Sequence, residues 1–231
     1  MYRAGQPLLG ARLLQAAKLV APGRVAADIG CDHGKLAVYL ALAGLSARVI
    51  AVDKKPLPLA KAQALCRQTA CEDRVECRLG DGLSPLLPGE AQEIIIAGVS
   101  GETMIEILRE VPWLRGGDAH LILVPASHAD RLRIWLYAEG FYLDTEEPVE
   151  ENGRFYTVMS VRYSGEKQKS LPPLFACLGQ LPRAGGPAAR GYIVRQRNYL
   201  RQCLQGKALP QEKQALQALL EEVEQCLKSM N

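Results

Sequence analysis

Val25-Ala-Ala-Asp28-Ile-Gly30-Cys31-Asp32-His33-Gly34-Lys35-Leu36 decides the fold: a short apolar strand breaks into a turn with two glycines and then opens a helix. Glycines let the backbone approach a ligand, and the first turn of a helix presents free N–H groups. The stretch therefore places a nucleotide-shaped ligand at the end of the first strand. Before it, Leu9, Leu13, Leu14, Ala17 and Leu19-Val20 recur at helical spacing until Pro22-Gly23 stops the segment. After it the pattern alternates: helix from about Gly34 to Ala43, strand Ala47 to Asp53, helix Pro56 to Thr69 and strand Arg74 to Arg78. Strand Glu93 to Ala97, helix Gly101 to Arg109, strand His120 to Val124 and helix Ala129 to Ala138 continue it. Strands alternating with helices imply crossover units and a parallel sheet covered on both faces, an α/β domain.

The alternation ends in two strand-like runs, Phe141 to Val149 and Arg154 to Tyr163, joined by Glu150-Glu151-Asn152-Gly153. Asn-Gly tolerates positive φ at both positions, so an antiparallel hairpin closes a mostly parallel seven-stranded sheet. Ser164-Gly-Glu-Lys-Gln-Lys-Ser-Leu-Pro172-Pro173 reads as a linker. Beyond it, one helix is expected from about Pro187 to Gln205. Pro210 suits the first turn of another, carrying Leu216, Leu219, Leu220, Val223 and Leu227 on one face. A turn at Gly206 to Leu209 would make an antiparallel helical hairpin, packed against Tyr192, Tyr199, Leu200, Cys203 and Leu204. The expected division is residues 1–164 for the α/β domain and 174–231 for the helical one.

With 231 residues, 48% hydrophobic and 23% charged, the chain has the composition of a globular protein with a substantial core. No apolar run approaches the ~18 residues of a membrane span, and Met1-Tyr-Arg-Ala-Gly lacks a signal-peptide core, which implies a cytoplasmic address. Seven cysteines without a Cys-x-x-Cys pair read as reduced thiols, and no metal is expected. The net charge of +3 is unevenly spread. Arg3, Arg12, Lys18 and Arg24 precede the first acid, Asp28. Between Leu174 and Lys207 stand Arg183, Arg190, Arg195, Arg197, Arg201 and Lys207 with no acid among them. Brought together, two cation-only segments would suit a polyanion; alone, each could be a solvated helix face.

Four strand ends should line the ligand crevice of such a sheet: Asp28 to Gly34, Asp53, Gly80-Asp81-Gly82-Leu83, and Ala97-Gly98-Val99-Ser100-Gly101. A dinucleotide fingerprint would need glycine at positions 32 and 35, where the chain has Asp32 and Lys35. S-adenosylmethionine has no pyrophosphate to seat, and its turn is commonly acidic-x-Gly-x-Gly-x-Gly. Asp28, Gly30 and Gly34 meet that pattern with Asp32 in the middle slot, while Asp53 and Asp81 stand where ribose and adenine are bound. The expected cofactor residues are Asp28, Gly30, Gly34, Asp53, Asp81, Gly82, Ala97 and Gly98.

Taken together, Arg12-Leu13, Ala27-Asp28-Ile-Gly30-x-Asp32-His33, Ala51-x-Asp53, Pro58-Leu59-x-Lys61-Ala62 and Arg78-Leu-Gly-Asp81-Gly-Leu83 resemble the bacterial tRNA (adenine(22)-N(1))-methyltransferases. Ile96-Ala-Gly98, Leu121-Ile-Leu123-x-Pro125 and Glu151-x-Gly153-x-x-Tyr156 extend the resemblance through residue 163. It implies a Rossmann-like class I methyltransferase domain with a C-terminal coiled-coil hairpin, S-adenosylmethionine as cofactor, and methylation of N1 of an adenine in tRNA. No obligate protein partner is evident in the sequence. Two departures stand out: Val99-Ser100 where the family usually has Met-Gly, and Val124-Pro125-Ala126 where it usually has Gln-Pro-Asn. Both fall at strand ends expected to line the target-base pocket.

Methylated adenine gains positive charge, so a carboxylate beside it would stabilise the transition state. Asp32 is the candidate for that role, with a helix N-cap as its alternative, and His33 is expected to orient the base or Asp32. Ser100, Pro125 and Tyr156, with Phe155 beside it, are candidate base contacts. Arg190, Arg195, Arg197 and Arg201 are candidate phosphate contacts. A methyltransferase for another RNA site or a small molecule, and a tRNA-binding protein without turnover, stay open as alternatives.

Overall fold

The computed structural model describes residues 6–206 and 209–230, so Arg3, Lys207 and the centre of the expected turn at Gly206 to Leu209 lie outside it. Helix α1 (Ala11–Leu19) leads into β1 (Val25–Ile29), α2 (Lys35–Leu42), β2 (Arg48–Asp53), α3 (Pro56–Gln68) and β3 (Val75–Leu79). Then come β4 (Glu93–Ala97), α4 (Gly101–Arg109), a 3₁₀ turn Pro112–Arg115, β5 (His120–Val124), α5 (Ala129–Ala138), β6 (Phe141–Glu151) and β7 (Arg154–Tyr163). The C-terminal part is α6 (Pro173–Leu178), α7 (Leu181–Ala184), α8 (Gly186–Gln205) and α9 (Pro210–Ser229).

The seven strands stand in the order β3-β2-β1-β4-β5-β7-β6, with β1 to β5 parallel and β7 antiparallel to both neighbours. Strand periodicity sets the two cores. Ala26, Val49, Ala51, Ile95 and Ile122 face α1, α2 and α3, whereas Ala27, Ile50, Val52, Ile94, Ile96 and Leu121 face α4 and α5. Both faces are apolar because helices cover both. The chain passes from β3 back across β2 and β1 to β4, which opens a crevice above the carboxyl ends of β1 and β4.

The β6–β7 hairpin is tighter than the sequence suggests. Glu150 pairs with Phe155 and Glu151 with Arg154, so only Asn152 and Gly153, at φ 53° and 73°, form the turn. That brings the Glu151 carboxylate close to α1.

The segment expected as a linker is tied down: Ser164 and Gly165 donate to Gly140 O, and Gln168 donates to Tyr137 O. Two short helices follow it, and α7 and α8 pack on β6 while α6 packs on α5. A buried polar centre joins these layers. Glu146 of β6 accepts from Arg133 Nη2 of α5 (2.6 Å), Thr157 Oγ1 of β7 (2.6 Å) and the Gln180 N–H (2.8 Å). Arg133 also donates to the carbonyls of Ala176 and Cys177. Gly179, at φ +59°, is required here, since a Cβ would strike the Glu146 carboxylate. Burial alone would lower the Arg133 pKa, but the Glu146 charge and its hydrogen bond outweigh that and hold it above its ordinary value.

Helices α8 and α9 run antiparallel, as Arg201 pairs with Glu224 while Arg190 donates to Leu227 O. Their seam is Ile193, Leu200, Leu220, Val223 and Leu227, with Leu204 at its edge. Two expected seam residues go elsewhere: Tyr192 is buried with its hydroxyl on Arg133, and Tyr199 is exposed. An apolar period marks a helix face without saying which neighbour it meets.

Candidate functional site

The turn after β1 is held from β2. Gly30 and Cys31 N–H groups donate to Val52 O at 2.8 and 2.9 Å, and Asp32 N–H donates to Asp53 Oδ2 at 2.9 Å. Asp53 Oδ1 accepts from Lys55 N–H, so both carboxylate oxygens brace the backbone and each keeps a further lone pair. Asp32 sits at φ 50°, a left-handed conformation that aspartate tolerates better than most residues. Gly34, at φ 69°, is the α2 N-cap, and no side chain caps that helix, so Asp32 is not a helix cap. A Cβ on Gly34 would meet Ala62, whereas one on Gly30 or Gly98 would stand in open space. The first glycine seats α2 against α3; the other two leave backbone free to face a ligand.

A cavity of about 240 Å³ opens there, lined by Asp28, Gly30, Asp32, His33, Ala97 and Gly98, with Arg12 and Leu13 of α1 on one side. Asp28, 4% exposed, forms its floor, and its Oδ2 has no hydrogen-bond partner. Burial pushes the Asp28 pKa from 3.8 up to about 7, opposed by a hydrogen bond from the Ala37 N–H and reinforced by the charges of Asp53 and Asp32. An unpartnered buried carboxylate oxygen suits a cationic or N–H-bearing ligand group. At the mouth, the Asp32 and His33 side chains are exposed, His33 Nε2 lying 3.5 Å from Asp32 Oδ1 and 3.3 Å from Lys61 Nζ. Burial and the neighbouring Asp28 and Asp53 charges raise the Cys31 thiol pKa, which suits Cys31 to packing.

Other expected site residues stand apart from this cavity. Asp81 is exposed, 3.5 Å from Lys54, and Gly82 is at φ 54° against Ile107. Ser100 caps α4, its hydroxyl accepting from Thr103 N–H, and Pro125 is buried. A second cavity, of about 570 Å³, lies next to the first, where β5, the β6–β7 tip and α8 meet. Ala126, Arg154, Phe155, Tyr156, Arg195 and Tyr199 are among its lining residues. Arg195 Nη1 donates to Phe155 O, and the Phe155 ring lies against Gly191, where any Cβ would collide with it.

The four arginines of α8 divide between two faces. Arg195 lines the large cavity, while Arg190, Arg197 and Arg201 border a groove between α8 and α9 with Lys228 and Glu224. Positions 190, 197 and 201 recur at helical spacing and 195 is out of phase with them.

Arg12 was legible in sequence only as part of a motif. In the fold it lines the smaller cavity, pairs through Nε with Glu151 Oε2 at 2.5 Å, and lies 4.4 Å from the centroid of the Tyr156 ring. Glu151, Gly153 and Tyr156 occur together in the sequence, and that spacing was the available signal. At the opposite end of the sheet, Glu93, His120 and Ser160 hydrogen-bond in series but are all buried, in a structural position. Among the described residues no group of three or more His, Cys, Asp or Glu could hold a metal, and no helix is long and apolar enough to cross a membrane.

Residues 9–159 match the family model for a methyltransferase domain. The tRNA (adenine(22)-N(1))-methyltransferase of Bacillus subtilis strain 168 is 31% identical over 217 residues, 94% of this chain and 86% of that protein. The crystal structure of the Bacillus subtilis m1A22 tRNA methyltransferase TrmK superposes with a TM-score of 0.81 at 29% identity, covering 96% of this chain and 98% of that one. A Streptococcus pneumoniae protein solved in complex with S-adenosyl-L-methionine superposes with a TM-score of 0.82 at 26% identity, covering 94% and 98%.

Proposed function

Because the chain belongs to the tRNA (adenine(22)-N(1))-methyltransferase family, we propose that it transfers a methyl group from S-adenosylmethionine to N1 of adenine 22 in tRNA. The observation that carries the reading is the cleft above β1 and β4, in which a buried, unpartnered Asp28 oxygen faces a cavity with two exposed groups, Asp32 and His33, at its mouth. The residues present fit the cofactor. Asp28 offers an anionic acceptor to its ammonium, and Gly30, Ala97 and Gly98 offer open backbone. Asp53, Asp81 and Gly82, at the ends of the next two strands, are the groups we assign to ribose and adenine. When bound, S-adenosylmethionine supplies an electrophilic methyl on a sulfonium.

Adenine N1 already carries a lone pair, so no general base has to remove a proton before it reacts. The work left to the chain is alignment and charge compensation. Asp32 opposes the positive charge that develops on the base, and His33, between Asp32 and Lys61, fixes the orientation of that carboxylate. A base inside folded tRNA must leave its stack to reach the cleft. The large cavity, with Tyr156 and Phe155 on its wall, has room for it, while Ser100 and Pro125 shape the backbone behind. Arg195 on one side of α8, and Arg190, Arg197 and Arg201 on the other, hold phosphates without reading sequence. We place the reaction in the cytoplasm, where the seven free thiols would stay reduced.

The test is methyl transfer to unmodified tRNA followed by nucleoside and position analysis, with wild type and Asp32→Ala. The expected result is 1-methyladenosine at position 22, with Asp32→Ala slowed by roughly a hundredfold or more, as for loss of a charge-stabilising group. Methyl transfer to a different position or only to a small molecule overturns the substrate assignment; full activity of Asp32→Ala overturns the role of Asp32.

A further inference from the structure

Arg12 joins the two cavities: it lines the smaller one, and its guanidinium lies over Tyr156, which lines the larger. Tyr156 is 9% exposed and one face of its ring is covered, so the flat surface available beside the cleft is the guanidinium itself. Arginine planes serve as stacking partners for unstacked bases much as aromatic rings do.

The position is built rather than incidental. Glu151 Oε2 takes Arg12 Nε at 2.5 Å while Oε1 accepts from the Arg12 backbone N–H at 3.2 Å, so one carboxylate both holds the guanidinium and caps α1, which has no acid in its first turn. Residue 10 is glycine, and a Cβ there would collide with that carboxylate. Arg12 keeps Nη1 and Nη2 without a hydrogen-bond partner among the described residues.

We propose that Arg12, held over Tyr156 by Glu151, is the base-positioning residue of the site: the wall on which the acceptor adenine stacks on its way from the large cavity into the cleft. The inference rests on the tRNA-methylation reading. It also gives Glu151 a task of its own. The methylated base is a cation, and a bare guanidinium against it would oppose the charge developing on the ring. Glu151 cancels that charge while leaving the plane in place.

The experiment is initial-rate kinetics of the full chain on unmodified tRNA, with S-adenosylmethionine affinity by calorimetry and thermal unfolding measured alongside. Arg12→Ala is expected to raise KM for tRNA by about tenfold with cofactor affinity unchanged, and Arg12→Lys, which keeps the charge but not the plane, to behave like Arg12→Ala. Glu151→Gln is expected to lower kcat by about tenfold without raising KM, because it retains a capping oxygen but leaves Arg12 uncompensated. The double variant Arg12→Gln/Glu151→Gln should recover kcat relative to Glu151→Gln alone. Full rescue by Arg12→Lys, an unchanged KM in Arg12→Ala, or losses that follow melting temperature or cofactor affinity would each overturn the proposal. A wild-type protein that methylates no tRNA removes the parent reading and this one together, whereas normal wild-type turnover with silent Arg12 variants removes only this one.

Discussion

Replacing Asp28 by Asn should make the cofactor-free protein more stable at alkaline pH while abolishing its response to cofactor. In the unfolded chain Asp28 titrates near 3.8; in the fold, burial raises that to about 7. Between those values the native state binds the proton more tightly than the unfolded state, so unfolding free energy falls as pH rises from about 4 to about 7 and is level above. At about 1.36 kcal/mol per tenfold in proton affinity the whole fall is about 4 kcal/mol. Asparagine keeps a carbonyl oxygen for the Ala37 N–H and never carries charge. Urea unfolding of both proteins at intervals from pH 4 to pH 8 should therefore give curves that coincide near pH 4 and diverge to about 4 kcal/mol at pH 8, with Asp28→Asn the more stable. Adding S-adenosylmethionine at a hundred times its Kd should restore about 2.7 kcal/mol to wild type and nothing to the variant. Parallel curves across the whole range would refute the claim that Asp28 sits buried and unpartnered beneath the cleft.

Three further outcomes are expected. Gly179→Ala adds a Cβ where the Glu146 carboxylate stands, at a positive φ, and should lower stability by about 3 kcal/mol or more in thermal unfolding. Glu146→Ala strips the buried Arg133 guanidinium of its counter-charge and should cost about 3–5 kcal/mol, whereas Arg133→Met with Glu146→Leu should cost much less; equal losses would mean that the ion pair is not the source. Affinity for tRNA should fall linearly on a log–log plot against salt, and Arg197→Ala should make that slope shallower by about one, measured by filter binding between 50 and 200 mM salt.

The parallel strands, the glycine turn after β1 and the terminal hairpin were all legible because each has a local signal: apolar runs of fixed length, positive-φ residues, and Asn-Gly between alternating strands. Asp28, Gly30, Asp32, His33, Ala97 and Gly98 come together at one cavity as a doubly wound sheet requires. What stayed hidden were relations between distant segments. Arg133 and Glu146 look like surface charges in an amphipathic helix and an edge strand, and only the placement of α6 and α7 over them makes them a core. Tyr192 and Tyr199 share a helix, yet one meets that core and the other meets solvent, because phase alone does not name a neighbour. The arginines of α8 formed one group by composition and two by geometry. Arg12 belonged to a quoted motif, but its partners lie 139 and 144 positions onward, beyond any local pattern.

The Glu146 centre also bears on how the chain is made. β6 is the last strand in the sheet and an open edge until α7 and α8 are laid against it. During vectorial synthesis Arg133 and Glu146 leave the ribosome well before Ala176, Cys177 and Gln180 exist to complete their hydrogen bonds. For that interval a nascent sheet ends in a half-finished ion pair and an unshielded strand, the kind of surface on which chains add to one another. The C-terminal helices thus finish the fold as well as extend it, and a chain halted near residue 164 should collect in inclusion bodies or on chaperones rather than persist as a small working enzyme.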